Sequence, residues 1–100
     1  MQNLSRKRRV LSRDEAEALA ISALSFLASE EHRLASFLHL SGMSPKDLRR
    51  EAGSVAFLAG VLDFITSNES LLLVFGTEQH IDPALVMEAR HVLLPDRADG

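Results

Sequence analysis

Six short segments of this chain each begin on a residue that can cap a helix: Ser12, Ser29, Ser44, Ser54, Asn68 and Asp82. The first four amides of a helix have no partner within it, and the side-chain oxygen of Ser, Asn or Asp accepts from one of them. So many starts within 100 residues predict an all-α fold, a compact single-domain bundle of about five or six short helices. The same pattern narrows the search for chemistry, because a capping oxygen is already engaged.

Ser12-Arg13-Asp14-Glu15 reads as a capping box, with acids at the positive end of the helix dipole. Ala16, Leu19, Ala20, Ala23, Phe26 and Leu27 then repeat at helical spacing, so the first helix spans about residues 13–28. Ser29 is placed as the cap of a second helix, with Leu34, Phe37 and Leu38 inward and Gly42 as a left-handed stop. Ser44-Pro45-Lys46-Asp47 is the sharpest start, since proline at the first helical position lacks only an amide that would have been unpaired. Gly53 ends this third helix after barely two turns. From Ser54 to about Ser67 the chain is apolar on more than one stripe, as a helix enclosed by neighbours should be. Gly60 in its middle costs about 1 kcal/mol relative to Ala and, with Ala56, predicts a notch for a crossing helix. Asn68 opens a fifth helix through LLLVF (71–75), ending near Gly76 or a turn beyond; no second strand candidate exists to pair with that run. Asp82-Pro83 opens a sixth, with Val86, Ala89, Val92 and Leu93 inward and Pro95 as its end.

An apolar content of 46% supports one core. Cys is absent, which excludes a disulfide framework and a thiolate metal site and suits a cytoplasmic location. Trp and Tyr are absent too, and most of the five Phe stand at core spacing, leaving few stacking platforms for single-stranded nucleic acid. The net charge of −3 is unevenly spread. Arg6, Lys7, Arg8, Arg9 and Arg13 give +5 over residues 1–13 with no acid, whereas six basic and fourteen acidic residues give −8 over residues 14–100. Residues 1–12 are therefore expected to form a flexible basic arm, 13–94 the helical domain and 95–100 a frayed tail.

The arm and the stretch ALAISALSFLA (18–28) together have the outline of an export signal, and Arg8-Arg9 that of a twin-arginine one. Asp14, Glu15 and Glu17 interrupt that outline, and Glu30-Glu31 follows without a convincing cleavage site. An amphipathic helix is the better reading. No uncharged apolar run approaches the ~18 residues of a membrane span, so a soluble chain without membrane contact is expected.

The stretches FLHLSGMSPKDLRREAG and FLAGVLDFITSNESLLLVF, with the turn from Leu40 to Arg49 and Val61-Leu62-Asp63-Phe64 as their most distinctive parts, resemble a family of short bacterial proteins, the domain of unknown function numbered 3572. The likeness runs from about Glu15 to Leu93. It implies an α-helical, cytosolic bacterial domain and brings no activity, so no catalytic residue follows from it.

Two sets of basic residues are candidate partner-binding sites: Arg6, Lys7, Arg8 and Arg9 on the arm, and Lys46, Arg49 and Arg50 on the third helix. If Gly42 is the turn of a helix-turn-helix, Met43 and Leu48 fall on buried positions, and Ser44, Lys46, Arg49 and Arg50 on the face that would meet DNA. Glu51 then occupies a position that should be apolar, Gly53 truncates the recognition helix, and the acidic body opposes phosphate attraction. His32 and His39 share a helical face but stand about 10.5 Å apart along it, too far to hold one metal ion. There is no nucleophile elbow, phosphate-binding loop or paired-carboxylate signature. Asp63 alone interrupts the most apolar helix; it either meets water or a neighbouring helix, or is a partly buried acid lining a pocket.

These features predict a small helical protein-interaction module without catalytic activity or cofactor, binding a protein partner or a second copy. Leu71–Phe75 and the outer face of Val55–Ile65 are its candidate apolar surfaces. Nucleic-acid association through the arm and a degenerate helix-turn-helix is the alternative. No small-molecule substrate is evident.

Overall fold

The computed structural model describes residues 11–94, which form helices joined by short turns, with no strand among the described residues. The helices are α1 (Arg13–Ala28), α2 (Glu31–Ser41), α3 (Pro45–Glu51), α4 (Val55–Thr66), α5 (Glu69–Gln79) and α6 (Pro83–Leu93). Residues 1–10, which hold Arg6, Lys7, Arg8 and Arg9, and residues 95–100 lie outside the described part.

Local chemistry sets the helix starts. The side chains of Ser12, Ser44, Ser54 and Asn68 each accept the amide three residues on, at 3.0–3.2 Å. Asp82 accepts from Ala84 at 2.9 Å. Two of these caps are reciprocal: Glu15 accepts the Ser12 amide and Asp47 the Ser44 amide, closing both capping boxes. Ser29 departs from expectation. Its backbone stays helical (φ −75°, ψ −9°) and its hydroxyl donates to the Phe26 carbonyl at 2.7 Å, so it closes α1 instead of opening α2. Glu30 takes the N-cap position of α2, with no side-chain hydrogen bond to the helix. A one-residue difference in where the chain turns extended decides which helix owns the serine.

Two corners close in the left-handed region. Gly42 (φ 74°) ends α2, with the Met43 amide donating to the Leu38 carbonyl at 3.1 Å. His80 (φ 56°) ends α5 the same way, with the Ile81 amide donating to the Gly76 carbonyl at 2.8 Å. Both are six-to-one closures in which glycine is the usual turning residue. The glycine of the second corner lies earlier, at Gly76, where a Cβ would stand 2.7 Å from the Ile81 carbonyl oxygen. The sequence places the end of this helix near Gly76 or a turn beyond, and it ends a turn beyond, at Gln79; Gly76 itself is where the returning chain touches the helix.

The core is a three-helix stack of α1, α4 and α6, each packed on the other two. On α1 the buried residues are small at first, Ala16, Ala20 and Ala23, and large at the end, Phe26 and Leu27. The alanines let two helices approach one face closely. Val61, Leu62 and Ile65 of α4 meet Val86, Ala89 and Leu93 of α6 within the same cluster. Each fully buried Leu or Ile contributes roughly 1.5–3 kcal/mol. Helix α5 covers one end with Leu72 and Phe75, whose ring lies 5.1 Å from that of Phe26. The Leu11 amide donates to the Glu88 carboxylate at 2.7 Å, tying the start of the described chain to α6.

Helices α2 and α3 are attached differently. Phe37 is the one residue of α2 that is buried outright, and α3 buries none. The predicted crossing at Ala56 and Gly60 does not occur. Both residues are exposed, and a Cβ built on Gly60 would meet nothing within 4 Å. The reason is the Phe37 ring, which sits edge-on to Phe57 and Phe64 at 5.8 and 5.3 Å and holds α2 away from α4.

Candidate binding groove

That standoff leaves a groove between α2 and the α4–α5 corner. It consists of two depressions that share Phe64. The first encloses about 310 Å³ between Phe37, Leu40 and Ser41 on one side and Gly60, Asp63 and Ser67 on the other. The second encloses about 190 Å³ between His32, Arg33 and Ser36 and the pair Asn68 and Leu71. Leu40 stands at the rim with 72% of its surface exposed, the most of any large apolar residue among those described.

Three ion pairs, made by two arginines, flank the groove. Arg90 of α6 donates from Nε to Oδ1 of Asp63 at 2.9 Å. The Asp63 side chain is 58% exposed, so this acid is a surface group bonded to a neighbouring helix and not a buried one. Arg33 is held more tightly. Its guanidinium lies 4.2 Å over the Phe26 ring, it pairs with Glu30 at 3.4 Å and Glu78 at 3.9 Å, and its side chain is only 20% exposed. A cation on an aromatic face gains about 0.5–2 kcal/mol, so Arg33 fixes one end of α2 while Phe37 fixes the middle.

The basic residues of α3 do not converge with those walls in one site. Lys46, Arg49 and Arg50 are exposed. Arg50 donates to Asp47 at 2.8 Å, and Lys46 and Arg49 form no ion pair among the described residues. Met43 and Leu48 are half-buried against the core, as a helix-turn-helix requires, but α3 is only seven residues long. The Ser44 amide, then the Ser44 hydroxyl, together with the Arg50 charge, hold the Asp47 carboxyl below its ordinary value of 3.8. Among the described residues no three His, Asp or Glu side chains stand close enough to hold a metal ion.

Of the two apolar surfaces expected from sequence, one is present in part. Leu73 and Val74 are exposed beside Thr77 and Glu78, while Leu72 and Phe75 are buried. The outer face of α4 is apolar only in small part: it presents Ala56, Gly60 and Asp63, with Phe64 half-buried at its edge. The groove itself is missed by sequence reasoning, because Phe64 and Phe37 read as core and Leu40 falls off the inward stripe. Leu40 was the available signal: a large apolar residue one position outside the buried face.

No described helix is long and apolar enough to cross a membrane; α4 and α5 reach the composition of a span only as a pair, bent by 106°. A family model described as "Protein of unknown function (DUF3572)" matches residues 13–96. No curated protein and no solved structure matches the chain.

Proposed function

The chain belongs to the DUF3572 family, and on that premise we propose that it is a small helical protein-interaction module without catalytic activity, with the α2–α4 groove as its docking surface. The observation that carries this reading is Leu40, exposed at the rim of a groove floored by Phe37 and Phe64. Covering a side chain of this kind gains roughly 1.5–3 kcal/mol, which the folded chain alone leaves unused. The test is an affinity capture from lysate with wild-type and Gly60→Leu baits, followed by reconstitution of the captured pair from purified proteins. Gly60→Leu fills the groove where a Cβ meets no neighbour, so it should fold. A reconstituted pair lost with this variant supports the reading. Pairs that bind both baits equally defeat it.

A second reading has one observation in its favour: Lys46 and Arg49 are exposed and free of ion pairs among the described residues. Together with Arg6, Lys7, Arg8 and Arg9 they would attract nucleic acid. Such binding would fall steeply with salt and weaken when residues 1–10 are removed. Binding indifferent to both removes this alternative.

A further inference from the structure

The two ends of the groove offer different chemistry. Along α2 the lining residues advance turn by turn, from His32 through Ser36 to Leu40, and the opposite wall runs the other way, from Leu71 to Gly60. Positions 32 to 41 span about 13.5 Å, or two and a half helical turns. The middle is ring and methylene. At the Ser41 end stands the Asp63 carboxylate, more than half exposed. Arg90 takes its Oδ1 and shares its charge, so what this end offers is acceptors: Oδ2, and the Ser41 and Ser67 hydroxyls, whose hydrogens go to the Leu38 and Phe64 carbonyls. At the His32 end every polar group can donate, and the Asn68 NH2 and the Arg33 guanidinium can do nothing else. Asn68 spends its carbonyl oxygen on the Leu71 amide, which leaves its NH2. The His32 ring and the Ser36 hydroxyl bond no described residue, and Arg33 supplies a guanidinium. Glu30 and Glu78 already share that guanidinium's charge, so this end selects by hydrogen-bond donors and not by net charge.

One kind of segment matches this layout in one direction only. A helix presents unpaired amides and partial positive charge at its N-terminus, and unpaired carbonyls and partial negative charge at its C-terminus. An extended strand carries both groups along its whole length and would leave them unmet over the apolar middle. We propose that the groove takes an amphipathic α-helix of a partner protein, laid antiparallel to α2, with its N-terminus at Asp63 and its C-terminus at His32 and Asn68. Apolar residues at i, i+4 and i+7 of that helix meet Leu40, Phe64 and Leu71. This rests on the interaction reading and adds the partner's chemistry and polarity to it.

The probe is a hydrocarbon-stapled 14-residue peptide with three leucines at those positions, Lys in its first turn and Glu in its last. A second peptide exchanges the Lys and Glu turns, and a third carries a central proline that breaks the helix. Binding to the full chain is read by fluorescence anisotropy, and orientation by amide broadening from a spin label at either peptide end. The first peptide should bind about tenfold more tightly than the second, even though Lys at its start and Glu at its end oppose its own dipole, a penalty the staple offsets. It should weaken at least tenfold with Gly60→Leu, and an N-terminal label should broaden residues around Asp63. Equal affinity of the first two peptides, or the opposite broadening, overturns the polarity. Equal binding of the proline peptide overturns the helix. If no peptide binds and the chain instead forms a dimer that Leu40→Ser dissociates, the occupant is a second copy: this proposal falls while the interaction reading stands. No peptide binding by a monomer that still captures a groove-dependent partner likewise overturns the helix alone.

Discussion

The stack of α1, α4 and α6 and the pair α2–α3 are built from the same amino acids but held by different means. In the stack, three helices bury faces against one another and nearly every fully buried side chain belongs to it. The α2–α3 pair hangs on Phe37, on Arg33 over Phe26, and on half-buried Leu38, Met43 and Leu48. Burial of that kind resists global unfolding, whereas a segment with few buried contacts opens locally at lower cost. The groove proposed as a docking surface therefore lies along the less anchored part of the molecule.

Substitutions can sharpen or break this contrast. Leu62→Ala, at a site with no exposure on α4, should lower global stability by about 2–5 kcal/mol, read as a shifted urea midpoint. Amides of α2 should move with the rest, since nothing folds without the stack. Gly76→Ala should cost about 1–3 kcal/mol, because its Cβ would stand 2.7 Å from the Ile81 carbonyl. A melting temperature unchanged by that substitution would show that the α5–α6 corner yields freely. Ser44→Ala removes one capping box and should destabilise α3 by about 1 kcal/mol. In hydrogen exchange the loss should be confined to α3; if α1 and α6 amides lose protection equally, the two parts are one cooperative unit.

Acid acts on the same cap. Asp47 titrates below its ordinary 3.8 in the folded chain, so its contribution is complete above about pH 4 and is lost as pH falls through the depressed value. An NMR titration should show Ser44 and Asp47 amide shifts moving together there. The smallest effect is expected from Gly60→Ala, which should be neutral or stabilising by up to about 1 kcal/mol. A destabilisation would mean that something packs on Gly60 after all.

The contrast also explains what the sequence could show. Helix starts were legible because a cap is a contact between residues two or three apart, and Ser12, Ser44, Ser54, Asn68 and Asp82 carry it within a few atoms. Ser29 was misplaced because two helices compete for it and only the backbone angle decides. The core stripe of α1 was legible from periodicity. The groove was not, because it depends on how far the Phe37 ring holds α2 from α4, a distance no spacing encodes. Gly60 shows the cost of reading locally: glycine in a helix signals either close approach or open space, and here it is open space. His80 shows the reverse, a left-handed corner made without glycine and so without a sequence flag.

The tie between Leu11 and Glu88, 77 residues apart, sits on the pairing of α1 with α6, the first described helix against the last. During synthesis α1 emerges well before α6. Until α6 has emerged, Ala16, Ala20 and Leu27 lack one of the surfaces that cover them, and the nascent chain holds an open apolar seam along α1. Closing that seam is a long-range event that must bear the loop entropy of nearly all the described residues. The described core is sealed only when α6 docks, so a chain cut short before α6 would keep that seam open.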